Sequence, residues 1–266
     1  MGELARRRAR GQWLHAPGGD VVRHLLAVQA QDARSLPKAL AARGGAVRDG
    51  LVITWLMRST LHLVDADDLP WLHPLFAPRM VATNERRLKQ LAVDDPDAAA
   101  DLVVRSLPAT RAELAAITGL EGQQLPHVIA RAAIAGRLAM DVERVYVPLA
   151  LPSPPDRKAS LDELARRYYA CHAGADARDL AYWSGLPLRD CRPPERDGIQ
   201  DGPVGRVELP MFDELLLGWR DRSPTVPPEL AKAVHPGGGM IRAVTIDDGV
   251  VVSVGTGPSS SAASAA

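Results

Sequence analysis

Gln29 and Gln31 flank a single alanine in VQAQDAR, residues 28–34, just where a run of apolar residues at helical spacing gives out. An amide oxygen accepts hydrogen bonds and an amide NH2 donates them, and neither group ionises. Two amides so close in sequence can hold a water or another oxygen in place. As poor general bases, they would act by positioning and electrostatics rather than by taking a proton. The same pair could equally cap the last free carbonyls of a helix. A second set, Arg58, Thr60 and His62, alternates through residues 51–64. Its donors suit an anion such as phosphate, or form an ordinary exposed polar strand face. No metal or other cofactor is expected. Cys171 and Cys191 form no CxxC pair, and the histidines form no HxxxH or HxH cluster.

The glutamines must be positioned by what precedes them. Asp20 is a good N-cap, and Val21, Val22, Leu25, Leu26 and Val28 follow at helical spacing. Gln29 continues that inward stripe, whereas Gln31 points away from it if the helix goes on. The two side chains converge only if the helix stops and the backbone extends. The turn formers of DARSLP support a stop, with Asp32 as a turn residue. A second helix is then expected from Ser35 to about Arg43, ended by Gly44-Gly45. In LVITWLMRSTLHLV the period changes to two. Ile53, Trp55, Met57, Leu61 and Leu63 fall on one face; Thr54, Arg58, Thr60 and His62 fall on the other. Helix, turn, helix and strand pair is the outline of a winged helix. Asp65 is placed to cap a further helix.

A second unit repeats the order. Thr110 and Glu113 have capping-box spacing, Gln124 to Arg137 reads as the next helix, and RLAMDVERVYVPL as a short hairpin. After the proline-rich LPSPPDRK, Ser160 and Glu163 suggest another capping box, and Ala177 to Trp183 a short helix ended by Gly185. The stretch 190–206 is too rich in Pro and Gly for a recognition helix. A hairpin follows around Asp248-Gly249. Trp55, Trp71 and Trp183 are expected in cores, and the acids of DADDL and of 212–214 as caps and structural pairs. The expected fold is therefore α+β and mainly helical. The divisions are residues 1–95, 96–150 and a shortened 159–209 as winged-helix units, a β-rich part at 210–256, and a disordered tail at 257–266.

Composition bounds the partners. The 266 residues carry 32 basic and 32 acidic groups, so bulk charge does not drive binding to nucleic acid, and any such surface is a local patch. Among the basic residues only Lys38, Lys89, Lys158 and Lys232 are lysine; arginine suits phosphate and base contacts, although codon bias explains the excess as well. No run approaches the roughly 20 apolar residues of a membrane span, so no membrane partner is expected. The start lacks the apolar core of a secretory signal, and a cytoplasmic, nucleoid-associated protein is expected.

Four stretches in order, LLAVQAQD, TWLMRSTLHLV, LARRYYACH with DLAYWSGLPL, and LPMFDELLLGWRDRS with GGGMIR, resemble the winged-helix DNA glycosylases of the AlkZ/YcaQ type over about residues 4–254. The resemblance implies three tandem winged helices and a small barrel-like end. It also implies excision of N7-alkylated guanine or unhooking of interstrand crosslinks, without a cofactor, on damaged or crosslinked double-stranded DNA. The family's Gln-x-Gln motif falls on Gln29 and Gln31, and Arg58, Thr60 and His62 would then contact DNA beside them. Two departures stand out. The third unit lacks most of its recognition helix and wing, and the family's further barrel strands are replaced here by PSSSAASAA. A non-catalytic DNA-binding protein, either a regulator or a decayed paralogue, is the alternative expectation. With no dimerisation coiled coil, a monomer is expected.

Overall fold

The computed structural model describes residues 2–192 and 198–255. The chain divides into two units, one from Met1–Ala46 with Ala165–Ala266, the other from Val47–Leu164.

The first unit opens with α1 (Gly2–Gly11), which buries Ala5, Arg8 and Ala9. Helix α2 is short (Val21–Leu25), and Asp20 starts it by accepting the Arg23 N–H at 3.1 Å. It does not run on to Val28, as the apolar spacing predicts. Leu26 takes φ 70° and turns the chain out of the helix. Ala27 and Val28 are buried all the same, because β1 (Val28–Gln29) carries the apolar pattern forward in extended form. Helix α3 (Ser35–Ala41) follows, and Gly44 adopts φ 72° just beyond its end.

The second unit begins with a hairpin, β2 (Leu51–Trp55) and β3 (Leu61–Asp65), in which Thr54 faces His62. Asp65 caps a short 3-10 turn, accepting from Asp67 N, and α4 (Leu69–Gln90) then runs for 22 residues. Leu72, Phe76, Met80, Asn84 and Leu88 recur along its buried side. Helices α5 (Pro96–Arg105), α6 (Arg111–Thr118) and α7 (Gln124–Ile134) come next, with α7 packed against both α4 and α5. The predicted capping box at Thr110 and Glu113 is formed in both directions. Strands β4 (Leu138–Met140) and β5 (Tyr146–Pro148) pair as expected, and β4 also joins β2 through Ile53 and Met140, so this unit's strands run in the order β3, β2, β4, β5.

The division between units falls inside α8 (Arg157–Cys171). This helix starts a turn earlier than a Ser160 cap predicts. Asp156 accepts the Ala159 N–H at 2.9 Å, while the Ser160 hydroxyl donates back to the Asp156 carbonyl. Helix α9 (Ala177–Ser184) is capped reciprocally by Asp176 and Asp179 and ends at Gly185 with φ 75°. Residues 193–197 lie outside the described residues, as does the expected tail at 257–266. Beyond them come β6 (Arg206–Leu209), α10 (Glu214–Leu217), α11 (Pro228–Val234), β7 (Val244–Asp247) and β8 (Val250–Val254). The last two strands form the predicted hairpin, with Asp248 and Gly249 both at positive φ as a two-residue turn requires. Together with β6 they make a three-stranded sheet. Leu215, Leu216, Trp219, Val226, Ile246 and Val251 close the core against it.

Candidate functional site

The extended backbone after Leu26 decides how the glutamines meet. In a strand, residues i and i+2 point the same way. Gln29 ends β1 and Gln31 lies in the bend just after it, with the fully buried Ala30 between them. Gln29 Nε2 donates to Gln31 Oε1 at 2.7 Å. The predicted convergence is present, but the expectation that Gln29 ends an inward helical stripe is overturned, since α2 stops four residues earlier. Neither side-chain amide bonds a carbonyl of α2 among the described residues. Gln29 Oε1 is shielded from solvent and accepts nothing among the described residues. A buried amide oxygen without a donor costs about 1–3 kcal/mol.

The turn after the pair is rigidly held. Asp32 accepts the Ser35 hydroxyl at 2.8 Å and the Arg34 N–H at 3.2 Å. Burial alone would raise the Asp32 carboxyl. The Ser35 hydroxyl and the Arg34 amide and guanidinium outweigh it and hold the carboxyl below its usual range. The turn role expected for Asp32 is therefore the observed one. On the other flank, His24 in α2 stacks on Trp13 with ring centroids 3.6 Å apart and bonds the Gly11 carbonyl at 2.6 Å. Burial pushes His24 below its ordinary value.

Arg58, Thr60 and His62 belong to the second unit, and they do not share a strand face. The period of two breaks at a 3-10 turn from Met57–Ser59, where Arg58 and Ser59 take φ 56° and 61°. Arg58 is exposed at that turn. The Thr60 hydroxyl donates to the Met57 carbonyl at 3.0 Å and closes the turn. His62 is only 6% exposed, in β3. Burial, with Arg58 nearby, pushes it down to about 4 against the opposing bond to the Thr60 carbonyl at 2.9 Å. It is neutral near pH 7, with Nδ1–H donating to that carbonyl. The face expected to be solvent-exposed is closed: Thr54 opposite His62 is fully buried, and its hydroxyl has no partner among the described residues.

The two later stretches that carried the family resemblance hold buried structural contacts. Asp213 caps α10 and holds the buried Arg43 guanidinium through two bonds of 2.9 Å. Glu214 accepts Trp183 Nε1 at 2.5 Å and faces His172 Nε2 at 3.1 Å, while His172 Nδ1 faces the Tyr168 carbonyl at 2.8 Å. Burial opposes a charge on His172, but the Cys171 sulfur and the Glu214 carboxylate outweigh it and push it up to about 10. Both ring nitrogens then donate. Trp183 and Trp219 are buried, and Arg8 lies over Trp219 at 4.6 Å. The acids at 213 and 214 are thus the structural pairs expected of them. Arg8, Arg43 and His172 are the charged residues that sequence reasoning missed. Their partners lie far along the chain, so no local pattern marks them.

A family model for AlkZ-like DNA glycosylases matches residues 22–196, which take in the glutamine pair, the hairpin and helices α3 to α9. The chain belongs to that family, and so to the DNA-binding proteins of DNA repair. Streptomyces sahachiroi DNA glycosylase AlkZ is similar in structure, with a TM-score of 0.68 at 20% identity, over 95% of this chain and 86% of that one. The likeness confirms the α+β, mainly helical fold expected from the sequence. No curated protein matches the chain. No helix among the described residues is long and apolar enough to cross a membrane.

Proposed function

We propose that this chain hydrolyses the N-glycosidic bond of N7-alkylated guanine, or unhooks crosslinks made through that atom, with Gln29 and Gln31 holding the attacking water. The observation that carries the reading is the orphaned, solvent-shielded Gln29 Oε1 beside the Gln29–Gln31 bond. With its own NH2 group engaged by Gln31, Gln29 is oriented so that its oxygen can accept an O–H from water. An N7-alkylguanine already carries a positive charge, so its departure needs little acid. The C1′–N9 electron pair leaves with the base and neutralises it. The water oxygen forms the new bond to C1′, and its proton passes to solvent. Neutral amides suffice for this because the work is orientation and stabilisation of the cationic sugar. An undamaged base, which must be protonated to leave, would not be served.

In the same reading Arg58 supplies the phosphate contact from the hairpin turn. Thr60 and His62 support it by fixing that turn, as their bonds to the Met57 and Thr60 carbonyls suggest. Three tandem winged helices with a shortened third, acting as a monomer on damaged duplex, remain our proposal for the domain organisation. Incubation with duplex carrying a single N7-methylguanine, followed by cleavage at abasic sites, tests the activity. Abasic sites formed on that duplex and not on its undamaged twin are expected. Duplex that is bound but left uncut would favour a non-catalytic DNA-binding protein.

A further inference from the structure

We infer that the exposed face of the second half of α4 is a docking surface for the phosphate backbone of duplex DNA. The inference rests on the DNA-binding reading above and names a surface for it. Arg79 and Arg86 are two turns apart on this helix, about 10 Å along its axis at 1.5 Å per residue, and Lys89 follows one turn later. All three are exposed, with the small Ala82 and Thr83 between them, also exposed. The opposite side of the helix is taken up by Met80, Asn84 and Leu88, so this face has no packing duty.

The face carries unpaired positive charge. The chain is neutral overall, and many of its arginines are matched to acids: Arg6 to Asp201, Arg48 to Asp65, Arg131 to Asp97 and Arg137 to Asp101. The side chains of Arg79, Arg86 and Lys89 make no ion pair or hydrogen bond among the described residues. Glu85 sits on the flank, where it lines a cleft of about 180 Å3 with Asp97 and Arg131 and acts on Arg131. Lys89 near the helix end also suits the helix dipole, but Arg79 and Arg86 lie too far from that end to be explained so. Glu85 borders the row beside Lys89, but Arg79 and Arg86 make no ion pair with it, and two exposed guanidiniums spaced along one helix face complement a row of phosphates.

The test is binding of a fluorescein-labelled, undamaged duplex by anisotropy between 50 and 200 mM salt. Each phosphate neutralised contributes about −0.9 to the slope of log K against log salt. Arg79→Gln/Arg86→Gln in the full chain should flatten the slope by about 1.8 and weaken binding equally across sequences, with an unchanged melting temperature. Arg79→Lys/Arg86→Lys should restore the wild-type slope. A Gln/Gln variant with the wild-type slope would overturn the α4 surface and leave DNA binding standing. A wild-type protein whose binding ignores salt would overturn both.

Discussion

Replacing Asp213 by alanine should unfold the first unit at markedly lower temperature, and the structure says by how much. Arg43 and Asp213 are both fully buried, joined by two 2.9 Å bonds, with Arg43 also donating to the Ala39 carbonyl at 2.8 Å and to Gln12 Oε1 at 3.0 Å. Removing the carboxylate leaves a guanidinium in the interior with no counter-charge. Such a loss costs about 3–5 kcal/mol, and α10 loses its cap to the Leu215 N–H as well. At about 2–4 °C per kcal/mol for a chain of this size, the melting temperature should fall by roughly 6–20 °C. Arg43→Met/Asp213→Leu should recover most of that, because neither charge is then buried. Thermal melts at pH 7 followed by far-UV circular dichroism read both variants. A drop of less than about 2 °C for Asp213→Ala would show that the pair does not anchor the end of α3, the helix that begins just after the glutamine turn.

Two further outcomes follow from the hairpin. His62 is held near 4 in the folded protein against about 6.5 unfolded, so between those values the unfolded chain binds a proton the native chain does not. Stability is then complete above pH 6.5 and falls by roughly 3 kcal/mol towards pH 4, and urea titrations of His62→Gln across that window should show a shallower fall. Thr54→Val removes a buried hydroxyl that has no partner among the described residues and nearly keeps its shape, so it should leave the melting temperature unchanged or raise it by a few degrees, whereas a loss of several degrees would mean the hydroxyl is bonded.

Local chemistry was legible in the sequence, and long-range chemistry was not. Asp20, Thr110 with Glu113, and Asp248-Gly249 each declare a structure within four residues, and each forms it. Ser160 misled because Asp156, one turn earlier, is the better-placed oxygen. Leu26, Arg58 and Ser59 take positive φ without being glycine, so nothing in the sequence warned that α2 would stop short or that residues 51–64 would break at a turn. The convergence of the two glutamines follows from the need for the chain to leave the helix, but the apolar spacing places Gln29 at a helix end where the structure has β1. The family motifs in the second half of the chain were recognised as a pattern. Their work in burying Arg43 and His172 became visible only when residues 170 and 42 positions apart were brought together.

The most direct test of the central claim is single-turnover abasic-site formation on N7-methylguanine duplex at saturating enzyme, comparing wild type with Gln29→Ala and Gln31→Ala. Losing one positioned hydrogen bond to the transition state costs about 2.7–4 kcal/mol, or 10²–10³ in rate. Gln29→Ala removes the orphaned oxygen itself, and Gln31→Ala removes the acceptor that aims it. Both should lose excision by about that factor while binding duplex as the wild type does, with Gln31→Ala melting as the wild type and Gln29→Ala at a shifted temperature but still folded. Either variant cutting at the wild-type rate would remove that glutamine from the chemistry and contradict the account.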